Sequence, residues 1–207
     1  MEHYFSKKQK SRETEIWFSH FLRGRKFDFV SSSGVFSKSG IDKGTLLLAE
    51  NMIISENDFV LDLGCGIGIL GIVAAKCFPK SHVVMTEINL RAVKLAKQNA
   101  EINSIKNVEI REGNLFEPVK ELLGSFDVIV VNPPFKAGNQ ICFEIIERAK
   151  DFLKENGTLQ LVAMHNKGGS RFETRMKEVF GDTYVLAKSG GYWVYVSVKI
   201  KLPSLLL

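Results

Sequence analysis

Phe59-Val60-Leu61-Asp62-Leu63-Gly64-Cys65-Gly66-Ile67-Gly68-Ile69-Leu70-Gly71 decides the architecture of this 207-residue chain. Phe59, Val60, Leu61 and Leu63 form a short apolar run, the pattern of a parallel strand covered on both faces. Gly64, Gly66 and Gly68 follow, and Ile69, Leu70, Ile72, Val73, Ala74 and Ala75 then read as a buried helix. Strand, glycine-rich turn and helix make the first half of a βαβ unit. The glycines allow a sharp turn and let a ligand lie directly on the backbone, where a Cβ would clash.

Outward from this stretch the alternation continues. His82–Thr86 reads as a second strand ending at Glu87, and Asn89 caps a helix whose inner face is Leu90, Val93, Ala96 and Ala100. Val108–Arg111 is a third strand, followed by Gly113 and Asn114. Phe126–Val131 is a fourth, apolar enough to be central. Ile141, Ile145, Ala149 and Phe152 form the next helix stripe, and Gly157-Thr158 turns into a strand over Leu159–Met164. Phe172, Met176, Val179 and Phe180 give the last helix. Tyr184–Ala187 and Trp193–Ile200 close the chain as strands around Ser189-Gly190-Gly191, a β-rich end that suggests a hairpin with one antiparallel strand.

Composition sets broad bounds. Hydrophobic content of 45% and charged content of 25% are ordinary for a globular domain, and the length fits one domain with a substantial core. Net charge +5 hints at a polyanionic partner. Cys65, Cys77 and Cys142 form no metal-ligand spacing and read as reduced thiols of a cytoplasmic protein. No metal constellation is visible among the four histidines. No apolar run is long enough for a membrane span, so no membrane partner is expected.

Residues 1–34 differ from the rest and are expected to be an extension packed on a core domain of residues 35–202. Seven cations face four anions over residues 1–30, interleaved with Tyr4, Phe5, Trp17, Phe18, Phe21, Phe27 and Phe29. Basic plus aromatic suits RNA. The same residues also fit a helix over Glu13–Leu22 that packs Ile16, Trp17, Phe21 and Leu22 inward. Residues 31–45 read as a loop or short hairpin entering a helix over Leu46–Met52, capped by Thr45 or Asp42.

The glycine-rich stretch has two ligand readings. Gly66-Ile67-Gly68-Ile69-Leu70-Gly71 fits the G-x-G-x-x-G dinucleotide fingerprint, which implies a nicotinamide-dependent oxidoreductase. Shifted by two residues, Leu61-Asp62-Leu63-Gly64-Cys65-Gly66-Ile67-Gly68 resembles the first motif of S-adenosylmethionine-dependent methyltransferases. Asp62 favours the second, because a carboxylate repels a pyrophosphate but not an ammonium or a sulfonium. Glu87, 21 residues beyond Gly66, can accept both ribose hydroxyls of either ligand. Asn114 can reach the adenine edge.

Asn132-Pro133-Pro134-Phe135 follows the most apolar strand, at the edge where α/β ligands bind. The prolines stiffen the loop and remove two donors. What remains is acceptors, the Asn132 side-chain oxygen and the Pro133 carbonyl. A planar amine needs acceptors: hydrogen bonds from its N–H groups draw its delocalised lone pair toward sp3 character. Phe135 offers a ring for stacking, and transfer requires the amine held about 3 Å from the methyl carbon.

Asn132-Pro133-Pro134-Phe135 matches the Asn/Asp-Pro-Pro-aromatic motif of methyltransferases acting on planar amines. With Val35-Phe36-Ser37, Ile41-Asp42-Lys43-Gly44-Thr45 and Gly190-Gly191-Tyr192-Trp193-Val194-Tyr195, the chain resembles the small-domain methyltransferase group. That group includes the ribosomal RNA guanine 2-amino methyltransferases and a small single-domain archaeal homologue. The resemblance implies a Rossmann-like seven-stranded, mostly parallel sheet with the last strand antiparallel and helices on both faces. It implies S-adenosylmethionine near Lys43, Gly44, Thr45, Asp62, Gly64, Cys65, Gly66, Gly68, Glu87, Ile88, Asn114 and Asn132. Catalysis falls to Asn132, Pro133, Pro134 and Phe135, and the partner is RNA. An adenine amine or a protein glutamine is the alternative acceptor. Whether the protein is a monomer or a homodimer stays open. Asn114 stands where the group usually has Asp.

Overall fold

The computed structural model describes residues 14–33, 35, 40–134 and 138–200. The chain runs β1 (Glu15–Leu22), β2 (Arg25–Ser32), α1 (Lys43–Asn51), β3 (Phe59–Leu63), α2 (Ile69–Cys77), β4 (His82–Glu87), α3 (Leu90–Ile102), β5 (Val108–Glu112), β6 (Phe126–Val131), α4 (Asn139–Phe152), β7 (Leu153–Met164), α5 (Gly169–Phe180), β8 (Tyr184–Ser189) and β9 (Tyr192–Val198). β3 to β9 form one seven-stranded sheet in the order β5-β4-β3-β6-β7-β9-β8. β3 to β7 run parallel, and β9 lies antiparallel between β7 and β8. The expected Rossmann-like sheet with its last strand antiparallel is therefore what the chain forms.

Two apolar layers cover the sheet. One packs α1, α2 and α3 on Val60, Val83, Met85, Val128, Val130, Val162 and Val194. The other packs α4 and α5 on Leu61, Leu63, Ile129, Val131, Leu159, Leu161 and Tyr195. Residues alternate between layers along each strand, the period-2 rule of a sheet buried on both faces. Strand order reverses between β3 and β6, so the loops after these two strands flank the switch point where open α/β sheets bind ligands.

The N-terminal reading needs correction. Glu15–Leu22 is not a helix but β1, paired antiparallel with β2 from Glu15↔Ser32 to Leu22↔Arg25. Arg23 and Gly24 form the turn with φ of +49° and +72°, two left-handed residues whose twist suits a two-residue hairpin. Phe27, Phe29 and Val30 of β2 are fully buried and join the same core as α2 and α3. Alternate residues of an antiparallel strand turn their backbone groups outward. On β2 these are Asp28 and Val30, and side chains of α3 satisfy them. Asn99 Oδ1 accepts from Val30 N (2.7 Å) while its Nδ2 donates to Val30 O (3.0 Å). One helical turn later, Asn103 repeats the pattern on Asp28, at 3.2 and 2.7 Å. Two amides spaced i, i+4 on the helix thus stand in for a neighbouring strand and cover the β2 edge. At the hairpin tip, the Arg23 guanidinium donates to the carbonyls of Ala49, Glu50 and Met52, closing the C-terminal end of α1.

One smaller difference concerns β7, which starts at Leu153, six residues before the expected Leu159. Asn156 (φ +65°) and the register shift between Phe126 and Val128 mark an irregularity there. The strand continues through Gly157 rather than beginning after it.

Candidate active site at the carboxyl edge of the sheet

The glycine-rich loop leaves β3 through Gly64, Gly66 and Gly68, all left-handed at φ +68°, +58° and +89°. A Cβ built on Gly64 meets nothing within 4 Å, so the loop faces open space there. Gly71 has a different purpose: a Cβ on it would lie 2.3 Å from Met85 Sδ, so it lets α2 press against β4. The third glycine of the dinucleotide-like pattern is thus explained by helix–strand packing.

Two carboxylates hold the loop from beneath. Asp62 Oδ2 accepts from Gly71 N at 2.8 Å, and the residue is only 1% exposed. Since Gly68 brings no side chain to cap α2, Asp62 reaches across from β3 to do so. Burial, with the nearby Glu87 charge adding to it against the Gly71 hydrogen bond, pushes the Asp62 carboxyl up to about 7. Glu87 Oε2 accepts from Gly66 N (2.9 Å) and Oε1 from Asn89 N (2.7 Å). A pyrophosphate would need the loop amides, yet Gly66 and Gly71 already donate to carboxylates. Anions beneath the loop and open space above it fit an adenosine ligand that carries positive charge.

Neighbouring backbone completes this half of the site. Cys65 N donates to Thr86 O at 2.9 Å, and Asn99 Nδ2 donates to Ile67 O at 2.9 Å. Asn99 therefore ties the loop to β2 as well. Gly113 N donates to Glu87 O, which brings the exposed Asn114 to the Glu87 end of the site. Ile88 is half-buried between Glu87 and Asn89. Burial raises the Cys65 thiol well above its usual range, with the Asp62 and Glu87 charges adding to the effect.

The other half is built around Asn132 at the end of β6. Its Nδ2 donates to Thr45 Oγ1 (2.8 Å) and to Asp42 Oδ1 (3.2 Å). Thr45 Oγ1 in turn donates to Asp42 Oδ2 at 2.5 Å, and Asp42 Oδ1 caps α1 through the Gly44 and Thr45 amides, each at 3.0 Å. Both protons of the Asn132 amide are thereby committed, which fixes which way the amide faces. Oδ1 carries no protein donor among the described residues, so it is the atom left to accept from a ligand. Pro133 is buried and Pro134 half-buried beside it; Phe135 lies outside the described residues.

The sequence-derived residues thus fall into two groups, Asp62, Gly64, Gly66, Gly68 and Glu87 at the loop, and Thr45 with Asn132 at the end of β6. Lys43 is exposed on the first turn of α1. Gly44 makes room for the Tyr192 ring, whose Cδ1 and Cε1 would stand 3.0 Å from a Cβ there. Two residues at this edge were absent from the expected set. Asp42 was readable only as a cap, although it also anchors Asn132. Tyr192 was readable only as part of the closing hairpin. His165 is packed: its ring stacks on Trp193 with centroids 3.6 Å apart, and its Nδ1 lies 2.7 Å from Tyr195 Oη.

Residues 26–196 match the family described as methyltransferase small domain. The chain belongs to the methyltransferase small-domain family. This methyltransferase is 35% identical over 200 residues to the uncharacterized protein YbxB of Bacillus subtilis, covering 96% of this chain and 99% of that one. It is 34% identical over 173 residues to ribosomal RNA small subunit methyltransferase C of Haemophilus influenzae, covering 82% of this chain. Among solved structures, the Thermus thermophilus 16S rRNA N2 G1207 methyltransferase RsmC, in complex with AdoMet and guanosine, superposes with a TM-score of 0.80 at 28% identity over 89% of this chain. The chain spans about half the length of both ribosomal RNA methyltransferases. With the family established and the loop amides engaged by carboxylates, nothing supports the dinucleotide reading.

Proposed function

We propose that this methyltransferase moves the methyl group of S-adenosylmethionine to the exocyclic amine of a nucleobase, the 2-amino group of guanine in ribosomal RNA, in the cytoplasm. The observation that carries this reading is the locked Asn132 amide. With both N–H groups held by Thr45 and Asp42, its oxygen is a fixed acceptor beside two prolines that lack backbone donors. The RNA-methylating relatives support the choice of substrate.

In this reading residues 35–202 carry the chemistry and residues 1–34 contact RNA. The open face at Gly64, with Cys65, Gly66 and Gly68, receives the amino-acid part of the cofactor near Lys43, Gly44 and Thr45. Glu87 accepts the ribose hydroxyls. Ile88 borders the adenine and Asn114 hydrogen-bonds its edge. Bound there, S-adenosylmethionine supplies an electrophilic methyl on a sulfonium. Asn132 Oδ1 and the Pro133 carbonyl accept the two N–H groups of the amine, turning its lone pair toward the methyl. Pro134 stiffens the loop and Phe135 stacks on the base. The amine is scarcely basic, so its proton leaves after transfer.

The test is methyl transfer from labelled S-adenosylmethionine to deproteinised RNA, ribosomal particles and protein extract in parallel, followed by nucleoside analysis. Label in 2-methylguanosine is the expected result. Label confined to methyladenosine or to protein would contradict the guanine assignment.

A further inference from the structure

On a helix, Trp17 and Phe21 would have packed inward. On β1 they do the opposite. They lie four residues apart on the same face of the strand, about 13 Å from one another at strand rise, and they are 58% and 69% exposed. Phe27 and Phe29 fill the core from the other face of the hairpin. Trp17 is steadied by a hydrogen bond from its Nε1 to Glu15 Oε2 at 3.3 Å.

The ground between the rings is polar. Ser19 lies between them on β1, opposite Asp28, and Lys26 is the cross-strand partner of Phe21. Lys26 ion-pairs with Asp28 at 3.1 Å. Trp17 stands opposite the buried Val30 and Phe21 opposite Lys26, so Ser19 and Asp28 separate the rings. A protein interface would call for a contiguous apolar patch, whereas two rings parted by polar side chains suit separate planar bases. The sequence before β1 is cationic, with Lys7, Lys8, Lys10 and Arg12 against Glu13, and Lys26 lies on the face of the rings beside Asp28. The open end of the hairpin also points the right way. Glu15 and Ser32 border a small cavity of about 20 Å³ with Arg91 and Lys94 of α3, the helix that begins just beyond Glu87. Among the described residues, the buried Ser32 Oγ has no hydrogen-bond partner. The aromatic face thus runs toward the edge of the sheet that holds the site.

We propose that the outer face of β1 is an RNA-docking surface on which Trp17 and Phe21 stack on unpaired bases, guiding a single-stranded segment toward the carboxyl edge. The proposal rests on the reading of RNA as the substrate. Stacking on two rings is sequence-tolerant, so this face contributes affinity and the loop after β6 selects the base.

Trp17 and Trp193 are the two tryptophans of the chain, and Trp193 lies between His165 and the Lys188 ammonium. Trp17 is therefore the natural reporter. Titrating the full chain with a short single-stranded oligoribonucleotide should quench its fluorescence, and the same strand in duplex should quench it less. Trp17→Tyr should lose the quench while keeping the affinity. Trp17→Ala with Phe21→Ala should bind the oligonucleotide at least about tenfold more weakly. Both rings are exposed, so the thermal midpoint and the calorimetric affinity for S-adenosylmethionine should hold. Unchanged RNA affinity in the double variant, or an unchanged Trp17 emission at saturation, would overturn the proposal. So would an effect of the double variant confined to self-association, which would make the face a contact between copies. A wild-type chain that methylates RNA while the double variant binds it normally would sink the surface alone. A wild type that methylates only protein would sink the parent reading.

Discussion

The glycine-rich loop and the N-terminal hairpin are held by the same kind of bond in opposite arrangements. At the loop, backbone amides donate to carboxylates that stand close by on the adjoining strands: Gly71 to Asp62 and Gly66 to Glu87. At the hairpin, the backbone of β2 is matched by Asn99 and Asn103, about seventy residues away in sequence. The first arrangement leaves a local signature of acidic residues around glycines. The second leaves two asparagines on a helix that look like any solvated pair. Asn99 belongs to both, because its Nδ2 also reaches Ile67 O inside the loop.

Breaking that shared point should have the largest effect. Asn99→Ala strands Val30 N–H, Val30 C=O and Ile67 C=O in a buried setting, so unfolding free energy should fall by about 3–5 kcal/mol in urea titrations. A loss under about 1 kcal/mol would mean water replaces the amide at no expense and the two regions are not joined. Asp62→Asn tests the loop from the other side. Unfolded, Asp62 ionises near 3.8; folded, it ionises near 7. Between those values the folded chain holds the extra proton, so stability falls as pH rises through the window. Asn keeps an acceptor for Gly71 N–H and does not titrate. Its advantage over the wild type should therefore grow by about 3 kcal/mol between pH 4.5 and pH 7. A pH-independent difference would refute the raised carboxyl.

Gly64→Ala separates conformation from binding. The left-handed φ should cost about 1–2 kcal/mol of stability. The added methyl enters the open space above the loop, so the calorimetric dissociation constant for S-adenosylmethionine should rise at least about tenfold. Equal affinity would place the cofactor elsewhere. The smallest effect belongs to Asn103→Ala. Asn103 holds the second rung, on the half-buried backbone of Asp28 that water can reach, and its loss should lower the unfolding free energy by about 1 kcal/mol while leaving cofactor affinity alone.

What was legible in the sequence follows from the same contrast. The parallel strands declared themselves because burial on both faces leaves runs such as Val128–Val131 with no polar residue. The glycines and Asn132 were legible because each sits in a short contiguous motif, and Glu87 because it ends the strand after the glycine-rich loop, although their partners Gly66, Thr45 and Asp42 lie far away in sequence. The hairpin was misread because Ile16, Trp17, Phe21 and Leu22 fit a helical stripe, and nothing local reveals that α3 covers the edge of β2. A signal was present in Phe27-Asp28-Phe29, which alternates with period 2 just beyond Arg23-Gly24. Asp42 was legible as a cap but not as the anchor of Asn132, because the two meet only when β6 comes alongside α1.

The central claim is a division of labour: the loop after β3 holds the cofactor and the loop after β6 aims the amine. Asn132→Ala tests it most directly, with S-adenosylmethionine affinity measured by calorimetry and methyl transfer measured under single-turnover conditions on the same preparation. The account expects a dissociation constant within about threefold of wild type and a transfer rate lower by about a thousandfold or more, the scale of losing a preorganised hydrogen bond to the reacting group. Affinity and rate falling together, or a rate left intact, would contradict it.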